Sequence, residues 1–251
     1  MPLKEGDFAL VDYTVYDKES GKMLDTTVEE KAKEGGIYRG DVKYEPELVI
    51  LGEGLLLKSV EEEIAKMEEG EEKRVELPPE KAFGERDPSK IRVVPARELS
   101  RRGIVPRVNE EVEVDGQRAV IKAVGGGRVI LDFNHPLAGK TLVYELKVVR
   151  VVGAVEDKIR ELVYRWFRKS IPRDEIEVEV EGDTALITLP QGHLAIEGAA
   201  IARRAVVRDV EKYVPEISKV VFKEEYVIRR EERERERAPG REGSPESASG
   251  P

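Results

Sequence analysis

Two long runs of alternating apolar and polar residues, far apart in the chain, constrain the fold most strongly. FALVDYTVYD spans residues 8–17 and TLVYELKVVRVV spans residues 141–152. Period-two alternation of this kind is typical of half-buried strands. The second run is expected to close the sheet that the first run opens, so an interrupting segment must lie between them.

One helix is predicted to cross this sheet. KSVEEEIAKM, residues 58–67, places Val60, Ile64 and Met67 at a helical spacing, and Gly70 follows as a stop signal. The apolar run LVIL before it and the run RVELPPEKAFG after it are both predicted to contain strands. The expected class is therefore α+β, with a sheet crossed by one helix over residues 1–85 and 134–152.

Residues 86–133 are predicted to interrupt this sheet as a small β-rich insert. Three short strands joined by DG and GGG turns are expected in EEVEVDG, QRAVIKAVGGG and RVILDF, residues 110–133. The segments IRVVP and VILDF are candidates for exposed strand edges. The insert carries a formal charge of +3, against −9 for the two segments that flank it.

Residues 153–228 are predicted to form a separate α+β domain. A helix at 155–169 is expected to bury Ile159, Leu162, Val163, Trp166 and Phe167 on one face. A hairpin at 176–189, a helix at 195–214 and a strand at 220–228 follow, and His193 is expected at the helix entry. Residues 229–251 are highly charged and have no apolar residue beyond Ala and Pro, which predicts a disordered tail.

Composition excludes several kinds of chemistry. The chain has no cysteine and two histidines, so disulfides, thiolate metal sites and histidine triads are not available. No segment has the strongly basic character that phosphate binding needs, and no run reaches the roughly 18 apolar residues of a membrane span. We expect neither nucleic-acid nor membrane partners. Few amides and dense charges indicate a thermophilic, cytoplasmic source.

Five segments taken in order are more specific than any one of them. They are VDYTV (11–15), KMLDTT (22–27), LGEGLLLKSVEEEIAKM (51–67), PPEKAFGERDP (78–88) and FNHPLAGKTLVYELKVV (133–149). Over residues 3–152 the chain resembles the FKBP family of peptidyl-prolyl isomerases. The resemblance implies an antiparallel sheet wrapped on one helix. The interruption lies where SlyD-like members carry an insert-in-flap domain, and the return segment is similar to that of long archaeal members with a C-terminal domain.

The resemblance implies a set of pocket residues. Those implied to act in catalysis are Tyr13, Asp25, Phe83 and Tyr144. Those implied to bind substrate are Leu24, Leu56, Leu57, Val60, Phe133, His135 and Leu137, with the N–H of Leu57 holding a substrate carbonyl. Without the motifs, Leu56, Leu57 and Val60 would be ordinary core residues, Asp25 a turn residue and His135 a structural group.

Two positions depart from the family pattern. Val60 stands where many members have a tryptophan floor, and ELVIL, residues 47–51, lacks the aromatic residue often found on that strand. A reshaped pocket is expected, which weakens the case for tight macrolide binding more than the case for isomerisation.

The expected function is peptidyl-prolyl isomerisation without a metal or cofactor. The insert would hold unfolded polypeptide while the pocket acts on its prolines. The alternative is a folding chaperone or assembly module with weak isomerase activity. Adjacent aromatics in the 155–169 helix also raise the hypothesis of a homodimer formed through the C-terminal domain. The tail contains no histidine, so nickel handling is not expected from SlyD-like relatives.

Overall fold

The computed structural model describes residues 3–193, 195 and 197–226. The chain separates into two compact units that meet at the 154–155 bond. The predicted disordered tail, residues 229–251, lies outside the described residues. Within the described residues, no helix is both long and apolar enough to span a membrane.

The first unit contains nine strands and three α-helices in its described residues. In chain order they are β1 (Phe8–Asp17), β2 (Met23–Thr26), α1 (Glu29–Glu34), β3 (Glu47–Ile50), α2 (Lys58–Ile64), β4 (Glu72–Leu77), β5 (Ile91–Pro95), α3 (Ala96–Arg101), β6 (Glu111–Val114), β7 (Gln117–Gly125), β8 (Arg128–Asp132) and β9 (Leu142–Val152). The predicted α+β class is confirmed.

The main sheet is antiparallel and has the order β2-β1-β9-β4, with β3 also paired to β1. The two alternating runs pair along their whole length, from Phe8 opposite Val152 to Asp17 opposite Leu142. The helix α2 packs on one face of this sheet. Val60, Ile64 and Met67 are fully buried there against β1 and β9, as the helical spacing predicts.

The interruption forms its own four-stranded antiparallel sheet, in the order β5-β8-β7-β6. Its core contains the buried side chains of Leu99, Ile121, Val129 and Leu131. The prediction that VILDF is an exposed edge is wrong, because β8 has a partner on each side. IRVVP is an edge strand, and Val93 on it is 59% exposed.

A polar cluster joins the two chain crossings between the main sheet and the insert sheet. The Asn134 side chain accepts the N–H of Asp87 at 2.9 Å and donates to the carbonyl oxygen of the same residue at 2.9 Å. Asn134 also donates to the buried Asp132, which is ion-paired with Arg86. The N–H of Phe133 donates to the carbonyl of Lys90 at 2.9 Å, so the two crossings lie side by side.

The second unit packs two helices on a three-stranded sheet. Its elements are α4 (Val155–Phe167), β10 (Glu177–Glu181), β11 (Thr184–Leu189), α5 (Ala199–Tyr213) and β12 (Lys219–Glu224). The strands β10 and β11 form the predicted hairpin. The strand β12 lies parallel to β11, which is possible because α5 provides the long crossover between them.

Two expectations for this unit are wrong. Trp166 is 40% exposed, because Phe167 takes the buried position and the indole N–H reaches sideways to the carboxylate of Asp209 at 2.7 Å. The second helix begins at Ala199, because Gly198 before it has a φ of 82° that does not continue a right-handed helix. His193 precedes the helix, and its ring nitrogens contact the carbonyl oxygens of Pro190 and Ser170.

Candidate active site

A cavity of about 890 Å³ lies in the first unit, beside the central strands β1 and β9. Loops before α2, after α1 and after β4 complete its wall. Nine of the predicted site residues line it, and they come from five separate stretches of sequence. They are Tyr13, Leu24, Asp25, Leu56, Leu57, Phe83, His135, Leu137 and Tyr144.

Two predicted residues lie elsewhere. Val60 is fully buried in the core of this unit, and Leu56 and Leu57, which line the cavity, pack against the same core. Phe133 packs against the core of the insert, and the guanidinium of Arg92 lies 4.8 Å above its ring.

The register of the central strands brings two tyrosines together. Val15 is opposite Tyr144 and Tyr13 is opposite Leu146, so the tyrosines are diagonal neighbours on one face of the sheet. Their ring centroids are 6.5 Å apart and the rings are tilted by 48°. Both side chains are more than 90% buried, so they form a rigid apolar wall.

The tyrosine hydroxyls stay protonated across the physiological pH range. Burial raises the pKa of Tyr144 to about 12. Burial raises the pKa of Tyr13 further, with the negative charges of Glu47 and Asp25 adding to the effect. The Tyr13 hydroxyl donates to the carboxylate of Asp25 at 3.3 Å. This bond orients an exposed anionic group at the edge of an otherwise apolar wall.

The start of α2 provides a backbone donor at the cavity. The carbonyl of Leu57 accepts the N–H groups of Val60 and Glu61 at 2.8 and 3.0 Å, which begins the helix. Among the described residues, the N–H of Leu57 has no hydrogen-bond acceptor. N–H groups before the first helical turn have no partner within the helix itself. A substrate carbonyl could therefore accept this bond.

Phe83 and His135 close the cavity on the side of the insert. Their rings are stacked, with centroids 4.3 Å apart and an angle of 5° between the planes. The Nδ1 atom of His135 accepts the N–H of Leu137 at 3.2 Å. This bond fixes the turn that carries His135 and Leu137. The crossing from the insert is thus in direct contact with the cavity wall.

The sequence analysis missed one wall of the cavity, formed by the loop after α1. Ile37, Arg39, Val42 and Tyr44 line this wall. Tyr44 accepts the N–H of Arg39 on its hydroxyl at 3.0 Å, and its ring stacks on Tyr38 with centroids 5.5 Å apart. The signal in the sequence is a group of apolar and aromatic residues in a loop that has no helical or strand period.

A second cavity of about 610 Å³ lies on the opposite face of the same strands. Its lining is mostly charged, and the charges satisfy one another. Lys31 pairs with Glu145 at 2.8 Å and Lys147 pairs with Glu72 at 2.9 Å. Surface pairs of this kind offer little to an apolar ligand. We therefore place the candidate site in the larger cavity, because most of its lining residues are aliphatic or aromatic.

The larger cavity can bind and desolvate an apolar segment. It has a carboxylate, a backbone donor and aromatic walls. Within the described part of the chain, no cluster of three His, Asp or Glu side chains could hold a metal ion. The arrangement fits chemistry that depends on binding and desolvation.

Two segments of this chain match known family profiles, and a longer part of it is similar to characterised isomerases. Residues 92–137 match a family profile described as "FKBP26, IF domain", and residues 155–227 match one described as "FKBP26_C-terminal". A short-type peptidyl-prolyl cis-trans isomerase of Methanocaldococcus jannaschii is 41% identical over 146 residues, which is 58% of this chain and 92% of that protein.

Two bacterial relatives are more distant. A probable FKBP-type 16 kDa peptidyl-prolyl cis-trans isomerase of Pseudomonas fluorescens is 30% identical over 40% of this chain and 69% of its own length. The FKBP-type peptidyl-prolyl cis-trans isomerase SlyD of Treponema pallidum is 28% identical over 62% of this chain and 81% of its own length.

Proposed function

Because the chain belongs to the FKBP-type peptidyl-prolyl cis-trans isomerases, we propose that the larger cavity is where it isomerises X-Pro bonds. The observation that carries this assignment is the apolar wall of Tyr13 and Tyr144 beside the single carboxylate of Asp25. We propose in addition that the insert binds unfolded polypeptide and that residues 86–133 and 153–228 act as separate domains.

Isomerisation needs a site that favours the twisted amide over the planar one. Resonance opposes rotation with a barrier of about 18–20 kcal/mol. Twisting removes this resonance, so the carbonyl oxygen loses part of its negative charge. A dry apolar cavity therefore favours the transition state over the more polar ground state. An acceleration of about 10⁵ to 10⁶ needs about 7–8 kcal/mol, which differential binding could supply.

The cavity residues divide into three roles in this proposal. Leu56 and Leu57 lie under the proline ring, with Val60 supporting them from the core, and the N–H of Leu57 holds a substrate carbonyl. Tyr144 and Tyr13 exclude water, and Tyr13 orients Asp25. The remaining predicted residues cover the bound segment from the insert side; they are Leu24, Phe83, His135 and Leu137. Phe133 supports the crossing and does not contact substrate.

The edge of the insert sheet supports the proposal for unfolded chains. The strand β5 ends the sheet, and Ile91 and Val93 on it are 36% and 59% exposed. An open edge offers backbone hydrogen bonds to any extended segment, so binding needs little sequence preference. The same edge would also serve the alternative function, a folding chaperone in which the isomerase site is weak.

An isomerisation assay on a short proline peptide distinguishes these functions. We expect the unchanged chain to accelerate cis-trans exchange of the peptide at catalytic concentrations, measured by exchange NMR. Acceleration of protein refolding without exchange of the peptide would overturn the assignment of the cavity and favour the chaperone.

The expectations of a cytoplasmic location, a thermophilic archaeal source and no nucleic-acid, membrane, metal or cofactor partner stay predictions.

We propose a second copy of this chain as the partner of the C-terminal unit. Trp166 on α4, and Ile201 and Val207 on α5, expose 40%, 73% and 43% of their surface. We expect sedimentation velocity to give a dimer for the full chain and a monomer for residues 1–152, and Ile201→Lys in the full chain to weaken the dimer. The same monomer mass for both chain lengths would contradict this prediction.

A further inference from the structure

A buried carboxylate in α2 has no role in the function proposed above. Glu61 is only 5% exposed, although a buried carboxylate is costly unless it is fully hydrogen-bonded. Its oxygens accept three backbone N–H groups from the preceding loop. Oε2 accepts from Gly52 at 2.9 Å and from Gly54 at 3.4 Å, and Oε1 accepts from Leu56 at 3.1 Å. These bonds account for its burial.

The loop that Glu61 holds is the one that forms the cavity floor. Gly52 and Gly54 have φ values of 90° and 67°, so the loop turns twice through conformations that other residues rarely adopt. Each turn leaves a backbone N–H that faces inward and that Glu61 accepts. The loop then delivers Leu55, Leu56 and Leu57 to the cavity in succession.

Glu61 also controls which backbone donors remain available. It takes the N–H groups of residues 52, 54 and 56, while the N–H of Leu57 has no acceptor among the described residues. The carbonyl of Leu57 accepts the N–H of Glu61 itself at 3.0 Å. The carboxylate and the helix start therefore fix the Leu57 peptide group from both sides.

We propose that Glu61 is a positioning residue for isomerisation, holding the 52–57 loop so that its leucines and the free N–H of Leu57 face the substrate. This inference rests on the assignment of the cavity as the isomerase site. A carboxylate suits the task because both oxygens accept and neither donates. A glutamine has one accepting oxygen, so its amide group would face at least one N–H donor without a bond.

The test compares Glu61→Gln with two controls in the full chain. Glu62→Gln makes the same chemical change at the adjacent, exposed position, and Ile64→Val weakens the core under the same helix without touching the loop. Amide hydrogen exchange, read by NMR, reports the loop, and kcat and KM for a proline peptide report the site. Thermal unfolding measures the stability of each variant, so that activities are compared between variants of similar stability.

We expect Glu61→Gln to speed amide exchange at Gly52 or Leu56 by about tenfold or more, because at least one loses its acceptor. We expect kcat/KM to fall by about fivefold or more, with KM rising, because the loop binds the peptide. Both controls should keep kcat/KM within about twofold.

Three results would overturn the inference. One is faster loop exchange in Glu61→Gln with kcat/KM unchanged; the second is no change in either readout. The third is an equal loss of activity in Ile64→Val at matched stability, which would make the effect one of general stability. If the unchanged chain does not isomerise the peptide at all, the assignment of the cavity fails instead, while the exchange result still reports what Glu61 holds.

Discussion

A chain in which an Asn-Gly turn replaces residues 91–132 is expected to isomerise a short proline peptide within about threefold of the unchanged chain, while its acceleration of proline-limited protein refolding falls at least about tenfold. The cavity keeps its lining in this variant. The insert edge that would hold a long substrate beside the cavity is lost, and with it the raised local concentration of the substrate's prolines.

The structure shows where the replacement can be made. The N–H of Phe133 donates to the carbonyl of Lys90 at 2.9 Å, so a two-residue turn can join these neighbours as in a hairpin. The bonds between Asn134 and Asp87 remain and keep His135 against Phe83. Exchange NMR on a tetrapeptide and refolding of a protein limited by proline isomerisation give the two rates.

A pair of point variants separates loss of the edge from loss of the insert. Val93→Lys places a charge on the exposed edge strand β5, whereas Val124→Lys makes the same change on the central strand β7, where Val124 is 42% exposed. We expect the first to slow refolding and the second to leave it close to unchanged. If peptide and protein activities fall together in the replacement variant, the insert supports the cavity and does not bind clients.

The sequence predicts strands better than it predicts their neighbours. IRVVP and VILDF are both short apolar runs next to turn signals, and both were expected at an edge. Only β5 is an edge, because β8 is paired on both sides. Which strand lies in the centre depends on contacts between segments distant in sequence, and the local apolar pattern does not contain them.

The site shows the same division between local and tertiary information. The motifs imply Tyr13, Asp25 and Tyr144 through the family resemblance, and all three side chains line the cavity. They do not predict the wall from Ile37 to Tyr44, since a loop without a period gives no face to assign. They also place Val60 at the cavity, whereas the structure buries this residue fully in the core.

Asp25→Ala and Tyr144→Ala are each expected to lower kcat/KM for a proline peptide by at least about tenfold, which corresponds to about 1.4 kcal/mol of transition-state stabilisation. The two side chains act differently. Tyr144 is 7% exposed, so its ring keeps water from the amide. Asp25 is exposed at the cavity edge, and a negative charge near the amide carbonyl disfavours the planar form, whose oxygen is the more negative.

Conservative variants separate these contributions from damage to the fold. Tyr144→Phe keeps the apolar ring, so we expect its kcat/KM to stay within about threefold of the unchanged chain. Asp25→Asn keeps the size of the side chain but removes its charge, so we expect its kcat/KM to fall nearly as far as that of Asp25→Ala. Tyr13→Phe removes the hydrogen bond that orients Asp25 and should give an intermediate loss of kcat/KM.

Circular dichroism and thermal unfolding check that each variant is folded. Asp25 is exposed but accepts the Tyr13 hydroxyl, so the unfolding temperature of each variant is measured before its loss of activity is assigned to the site. Full activity in both alanine variants would remove the basis for placing isomerisation in this cavity.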